Sequence, residues 1–244
     1  MVASFDGSCG VSDRAACRRA APGATCVLPQ SARRPPTMHP RLLPVLILSL
    51  VSAGCTGAPS RSDAPAQEFN VLGHPDAPVT IIEFTDLQCP YCARVATQTF
   101  PQIRRNYIDT GKVRYTSRDL PLPMHEFAVS AAVAARCAGE QDRFWEYRAA
   151  LFAMQDRLGS APYDELARRL ELDAERFASC RADGRQESKV RADLELAQSF
   201  GIASTPTFAI GRRVGGVFEG ETVRGAKSYE EFAARIDALL GQTR

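Results

Sequence analysis

A chain of 244 residues with 45% hydrophobic content is long enough for one good-sized core. The formal charge of +2 is unevenly spread: residues 1–54 hold six arginines and two aspartates, so residues 55–244 carry 24 basic against 26 acidic side chains, net −2. A near-neutral body of this kind gives no electrostatic case for nucleic acid, and eight cysteines point away from a reducing cytosol.

Residues 1–37 hold Cys9, Cys17 and Cys26 among many Arg, Ala and Pro residues, with no periodic apolar pattern. They read as a mis-assigned start or an unstructured extension. Arg33-Arg34 resembles a twin-arginine export signal only weakly, because Pro35-Pro36 follows. Met38 stands where the initiator of a signal peptide is expected, and His39-Pro-Arg41 supplies its short positive region. The apolar run from Leu42 to Val51 is too short for the roughly 20 residues that span a bilayer. Ser52-Ala-Gly-Cys55 closes it in the manner of a lipoprotein signal, with Ser52 off the usual pattern. Residues 38–54 are therefore expected to be removed, with Cys55 lipidated; ordinary cleavage nearby is the alternative. Residues 55–66, rich in Ala, Pro and Ser, read as a flexible tether.

The folded body is expected over 67–244. A short strand over 68–73 and a turn at 74–78 lead to Val79-Thr-Ile-Ile-Glu-Phe-Thr-Asp86, a buried strand. Cys89-Pro90-Tyr91-Cys92 follows, and then a helix that Pro101 is expected to kink. Lys112 to Ser117 reads as a third strand. From about 123 to 200 the pattern turns helical: Val129, Val133 and Cys137 fall four apart on one expected buried face, and helices follow over 163–172, 174–181 and 186–200. Thr207 to Ile210 and Val214 to Phe218 read as a hairpin around Gly211-Arg212-Arg213, and Tyr229 to Leu240 as a closing helix. The order βαβ, helical block, ββα is an α/β architecture with a helical insertion.

The chemistry centres on the two cysteines at the strand-to-helix turn. Free N–H groups and the positive helix end favour an anion there, so Cys89 is expected to ionise well below the free value of about 8.5, with Cys92 as resolving thiol. A structural zinc site needs about four ligands, and there is no second C-x-x-C; His39, His74 and His125 lack paired spacing. A c-type haem requires His after Cys92, where Ala93 stands. No metal and no other cofactor is expected. An inert structural disulfide is the remaining bland alternative. Setting aside the upstream cysteines, Cys55 and the C-x-x-C pair leaves Cys137 and Cys180, which an exported protein would normally bridge; two free buried thiols are the alternative.

Phe84-Thr-Asp-Leu-Gln-Cys-Pro-Tyr-Cys92 and Gly201-Ile-Ala-Ser-Thr-Pro-Thr-Phe208, separated by a helical block, together resemble the DsbA-like branch of exported thioredoxin-fold thiol:disulfide oxidoreductases over about residues 67–241. The resemblance implies a mixed sheet flanked by helices, Cys89 as the exposed nucleophile, and Pro206 as a cis-proline packed against the disulfide. It places Thr205, Pro90 and Tyr91 against bound substrate, and Glu83 as a buried acid accepting the Cys92 proton; a solvated edge glutamate is the alternative. It further implies thiol-bearing exported proteins as substrates, a membrane partner that resets the disulfide, and a periplasmic or envelope location. Pro90-Tyr91 departs from the Pro-His of the strongly oxidising members, which puts the direction of electron flow in question; an oxidase is expected, with a reductase or isomerase of the same fold as the alternative. A tethered, non-catalytic peptide-binding module is the rival from another class.

Overall fold

The computed structural model describes residues 68–241 apart from residue 161; the expected signal peptide, Cys55 and the tether lie outside the described residues. Five strands form one mixed sheet in the order β1-β3-β2-β4-β5. They are β1 (Val71–Leu72), β2 (Val79–Thr85), β3 (Val113–Asp119), β4 (Thr207–Val214) and β5 (Val217–Arg224). β2 runs parallel to β3 and antiparallel to β4. Its sequence VTIIEFT lacks polar alternation because nearly every residue of this central strand is buried.

The helix after the active-site turn passes Pro101 by widening. α1 (Pro90–Arg94) opens into a π turn at Val95–Thr99, α2 (Phe100–Ile103) follows, and a second π turn covers Arg104–Ile108. Pro101 falls in the first turn of α2, where its missing N–H and its ring are tolerated. This helical rod and α8 (Tyr229–Gly241) pack Val95, Phe100, Ile103, Phe232 and Ile236 against Ile81, Tyr115, Phe208 and Ile210 of the sheet.

The helical block comprises α3 (Ala128–Gly139), α4 (Phe144–Ala153), a 3-10 turn (Gln155–Ser160), α5 (Tyr163–Arg169), α6 (Ala174–Ala182) and α7 (Arg185–Ser199). The expected Val129-Val133-Cys137 face is corrected here: Val129 is 39% exposed. α3 is buried on almost every other side through Ala131, Ala132, Ala134, Ala135 and Ala138, whose small side chains let neighbouring helices close in. Gly139 ends the helix where a Cβ would stand 2.3 Å from the Phe69 ring.

The hairpin turn is also corrected. Gly211-Arg212-Arg213 lies inside β4, and the chain reverses at Gly215-Gly216, both with positive φ (56° and 87°), as the tight two-residue hairpin requires. Gly211 stands opposite Gly220, where a Cβ would meet the Glu219 carbonyl oxygen at 2.0 Å.

Buried Arg136 of α3 links block to sheet. It donates from Nε to Asp119 Oδ2 of β3 at 2.5 Å and from Nη2 to Asp193 of α7. Asp193 is bonded in addition by the Asp119 backbone N–H at 3.1 Å and by Arg118 at 3.0 Å.

Candidate active site

Cys89 occupies the N-cap of α1 with extended backbone (φ −75°, ψ 123°), and Pro90 follows in the first turn. The N-cap position leaves the backbone N–H groups of Tyr91 and Cys92 free to face the Cys89 sulfur. Both cysteines are free thiols, so the structure is that of the reduced pair. The expectation of an exposed Cys89 is corrected: it is 3% exposed and Cys92 is 0% exposed. The loop before Pro206 covers it, with the Cys89 Sγ–H directed at the Thr205 carbonyl oxygen at 3.6 Å.

The two thiols are strongly differentiated. Cys89 is lowered to about 5, first by the hydrogen bond from the Cys92 thiol, against an opposing effect of burial, and then by the Thr205 side chain and the N–H groups of Cys92 and Tyr91. The helix end thus contributes, but the neighbouring thiol contributes more. Cys92 is pushed far up, chiefly by burial and by the hydrogen bond it gives to Cys89. The Asp86 N–H donates to Cys92 Sγ at 3.5 Å. The Thr205 hydroxyl is buried and has no other partner.

The Thr205-Pro206 peptide is cis, and the Pro206 carbonyl accepts from Gly225 N–H at 2.8 Å, tying the loop to the end of β5. Tyr91 is 54% exposed, with the Arg94 guanidinium over its ring at 5.2 Å.

Glu83 is not a solvated edge residue. It is fully buried in β2, its Oε2 accepting from Tyr115 Oη at 2.8 Å and from Arg148 Nη2 at 2.5 Å, while Oε1 has no partner. Arg148, from α4, lies within 5.6 Å of the ring centres of Phe100, Trp145 and Phe152. Cys137 and Cys180 are joined by a disulfide of 2.08 Å that staples α3 to α6.

A set of clamping residues was not anticipated. The Asp86 carboxylate accepts from the N–H of Gln88 and of Leu122, each at 2.7 Å, and lies 2.7 Å from His125 Nδ1. Gln88 accepts from Phe127 N–H at 2.8 Å, and Gln155 donates to the carbonyls of Leu87 and Cys89 at 2.8 and 3.0 Å. The turn carrying Cys89 is therefore held from the helical block. Asp86 and Gln88 sit within the motif segment, so polar residues flanking a buried strand were the one available signal.

A family model described as "Thioredoxin" matches residues 66–238. Wolbachia pipientis alpha-DsbA1 superposes with a TM-score of 0.64 at 29% identity, covering 71% of this chain and 91% of that one. The chain belongs to the thioredoxin family, in its DsbA-like branch. Disulfide bond formation protein D of Bacillus subtilis is 29% identical to this thioredoxin-family chain over 201 residues, 76% of the chain and 81% of that protein. A Na(+)/H(+) antiporter NhaA 3 of Salinispora tropica is 38% identical over 169 residues, 68% of this chain. The thioredoxin-family chain spans only 25% of that antiporter's length.

Proposed function

We propose that the protein is an exported thiol:disulfide oxidoreductase that works through Cys89 and Cys92, passing its disulfide to thiol-bearing extracytoplasmic proteins. The observation that carries this is the split between the two thiols: an N-cap cysteine lowered to about 5 beside a buried partner pushed up. Such a pair makes a stable reduced form and hence an oxidising disulfide, which favours the oxidase direction over reductase or isomerase.

In the oxidised protein a substrate thiolate attacks Cys89 Sγ, the less buried of the two sulfurs. The S–S bond breaks, its electron pair goes to Cys92 Sγ, and Cys92 takes up a proton. Glu83, buried with Oε1 unpartnered, is the proposed group through which that proton is exchanged. A second substrate thiolate then attacks the substrate sulfur of the mixed disulfide and expels Cys89 as thiolate, the form its surroundings stabilise. Two substrate thiols are oxidised, one proton stays on Cys92 and one is released. The Thr205 backbone beside Cys89, with Pro90 and Tyr91, supports an extended substrate lying along the cis-proline loop by strand addition. A membrane redox partner would restore the disulfide.

Export, removal of residues 38–54 and lipidation of Cys55 rest on the sequence. Among the described residues no helix is long and apolar enough to cross a membrane. The antiporter's transport activity is not carried over, since the match covers a quarter of its length. The oxidised full chain is expected to form disulfides in a reduced, unfolded model protein, and Cys89→Ser to abolish this. An oxidised native chain with no turnover, its peptide binding unaffected by Cys89→Ser, would leave only a peptide-binding module. Mass spectrometry of protein from the native envelope is expected to begin at a modified Cys55; a soluble form with unmodified Cys55 would overturn the anchor.

A further inference from the structure

Beside the nucleophile lies an open cleft of about 390 Å³, lined by Tyr91 and Arg94 from the active-site helix, Ser204 and Thr205 from the cis-proline loop, and Arg224 from β5. Thr205 ties the cleft to the chemistry, because its carbonyl oxygen is 3.6 Å from Cys89 Sγ. Arg224 sits directly across from Thr207 in the β4–β5 pairing, at the active-site end of the strand. A polypeptide whose cysteine reaches Cys89 while its backbone follows Thr205 must lay its neighbouring residues in this cleft.

The charges there are unbalanced. No carboxylate lines the cleft. Arg94 and Arg224 are both exposed. Among the described residues neither has a carboxylate partner; Arg94 is held only against the Tyr91 ring. Several exposed arginines elsewhere are neutralised, Arg157 by Glu165, Arg185 by Asp183 and Arg191 by Glu187. The excess is local as well, since residues 55–244 as a whole are net −2.

We infer that this cleft selects substrate polypeptides carrying acidic side chains beside the reactive cysteine. An apolar segment would cover Tyr91 at the cost of desolvating two unpaired guanidinium groups, and a basic segment would be repelled. A carboxylate suits the guanidinium fork, which binds it bidentately. There is a chemical consequence too. Acidic neighbours raise a substrate thiol's pKa and lower its thiolate fraction, and two arginines at the point of attack offset that handicap. This inference deepens the proposed oxidoreductase reading and rests on it.

The test uses the oxidised full chain and three reduced dithiol peptides identical except that Glu, Gln or Lys flanks the first cysteine. Each peptide's intrinsic reactivity is removed by dividing by its rate with a neutral small disulfide. The expected order of normalised kcat/KM is Glu above Gln above Lys, with a Glu-to-Lys ratio of about tenfold or more at low salt. The ratio is expected to shrink toward one near 1 M salt, where the screening length falls to about 3 Å. The charge-reversed pair R94E and R224E together is expected to invert the order, and R94K with R224K to retain it. A flat or inverted order in the native chain, or a ratio indifferent to salt, would overturn the inference while leaving the dithiol chemistry standing. Failure of the oxidised native chain to oxidise any of the three peptides would instead overturn the oxidoreductase reading itself.

Discussion

Replacing Cys92 separates two explanations of the Cys89 thiolate. The helix N-terminus alone would stabilise the anion through backbone N–H groups, whereas the structure assigns the leading contribution to the Cys92 thiol. A hydrogen bond to a charged acceptor contributes about 1.5–3 kcal/mol, and 1.36 kcal/mol corresponds to one pH unit. Cys92→Ala is therefore expected to raise the Cys89 pKa from about 5 by roughly one to two pH units, while Cys92→Ser, which keeps a donor, stays closer to native. The sign follows from linkage. A depressed pKa stabilises the reduced fold fully above the ordinary thiol value, and that contribution disappears as pH falls through about 5. At pH 7 it amounts to about 3 kcal/mol in the native pair, roughly two pH units above the folded pKa. Ultraviolet thiolate absorbance in the Cys92 variants, and the pH dependence of alkylation at Cys89 in the native chain, measure the shift. A Cys92→Ala protein that still titrates at about 5 would show that the helix end suffices and would refute the assignment.

Thr205→Val removes the buried hydroxyl beside Cys89 and is expected to raise its pKa by about one pH unit with the fold intact; an unchanged titration would mean the hydroxyl does not reach the sulfur. Replacing Cys137 and Cys180 together opens a loop spanning 43 residues, and chain entropy gives a loss of about 4 kcal/mol on denaturant unfolding. An unchanged unfolding midpoint would argue that the bridge does not form in the native protein. Arg148→Met strands the buried Glu83 carboxylate and is expected to destabilise by about 3–5 kcal/mol, with much of the loss recovered when Glu83→Gln is added. Equal stability of the two variants would contradict the pairing.

What was legible in the sequence was local. The run Val79–Thr85 announces a strand buried on both faces, and Cys89-Pro90 announces the turn into a helix. The chain's helical middle follows from its spacing of apolar residues. What escaped depends on partners distant in sequence. The clamp joins Asp86 to Leu122 and His125, and Gln155 to Leu87 and Cys89, across 36 to 68 residues. Nothing near Glu83 reveals that Arg148 waits 65 residues on. The misplaced hairpin turn has a sharper lesson. Gly211 beside two arginines resembles a turn, yet its glycine is required by close approach of β5, while Gly215-Gly216 supplies the left-handed backbone that reverses the chain. Val129 misled for a related reason: in a helix buried among its neighbours, alanines mark the inward faces and the β-branched residue is left outside.

The most direct test of the account is the reduction potential of the Cys89–Cys92 couple, read from equilibration with glutathione buffers at pH 7. A thioredoxin-type pair with its nucleophile near pKa 7 has a potential of about −270 mV. Lowering the nucleophile to about 5 stabilises the reduced form by roughly a further 2 kcal/mol at pH 7. At 30 mV per 1.4 kcal/mol this moves the couple some 40 mV, to about −230 mV or less negative. A value at or below about −270 mV would contradict the oxidase reading and make the protein a reductant.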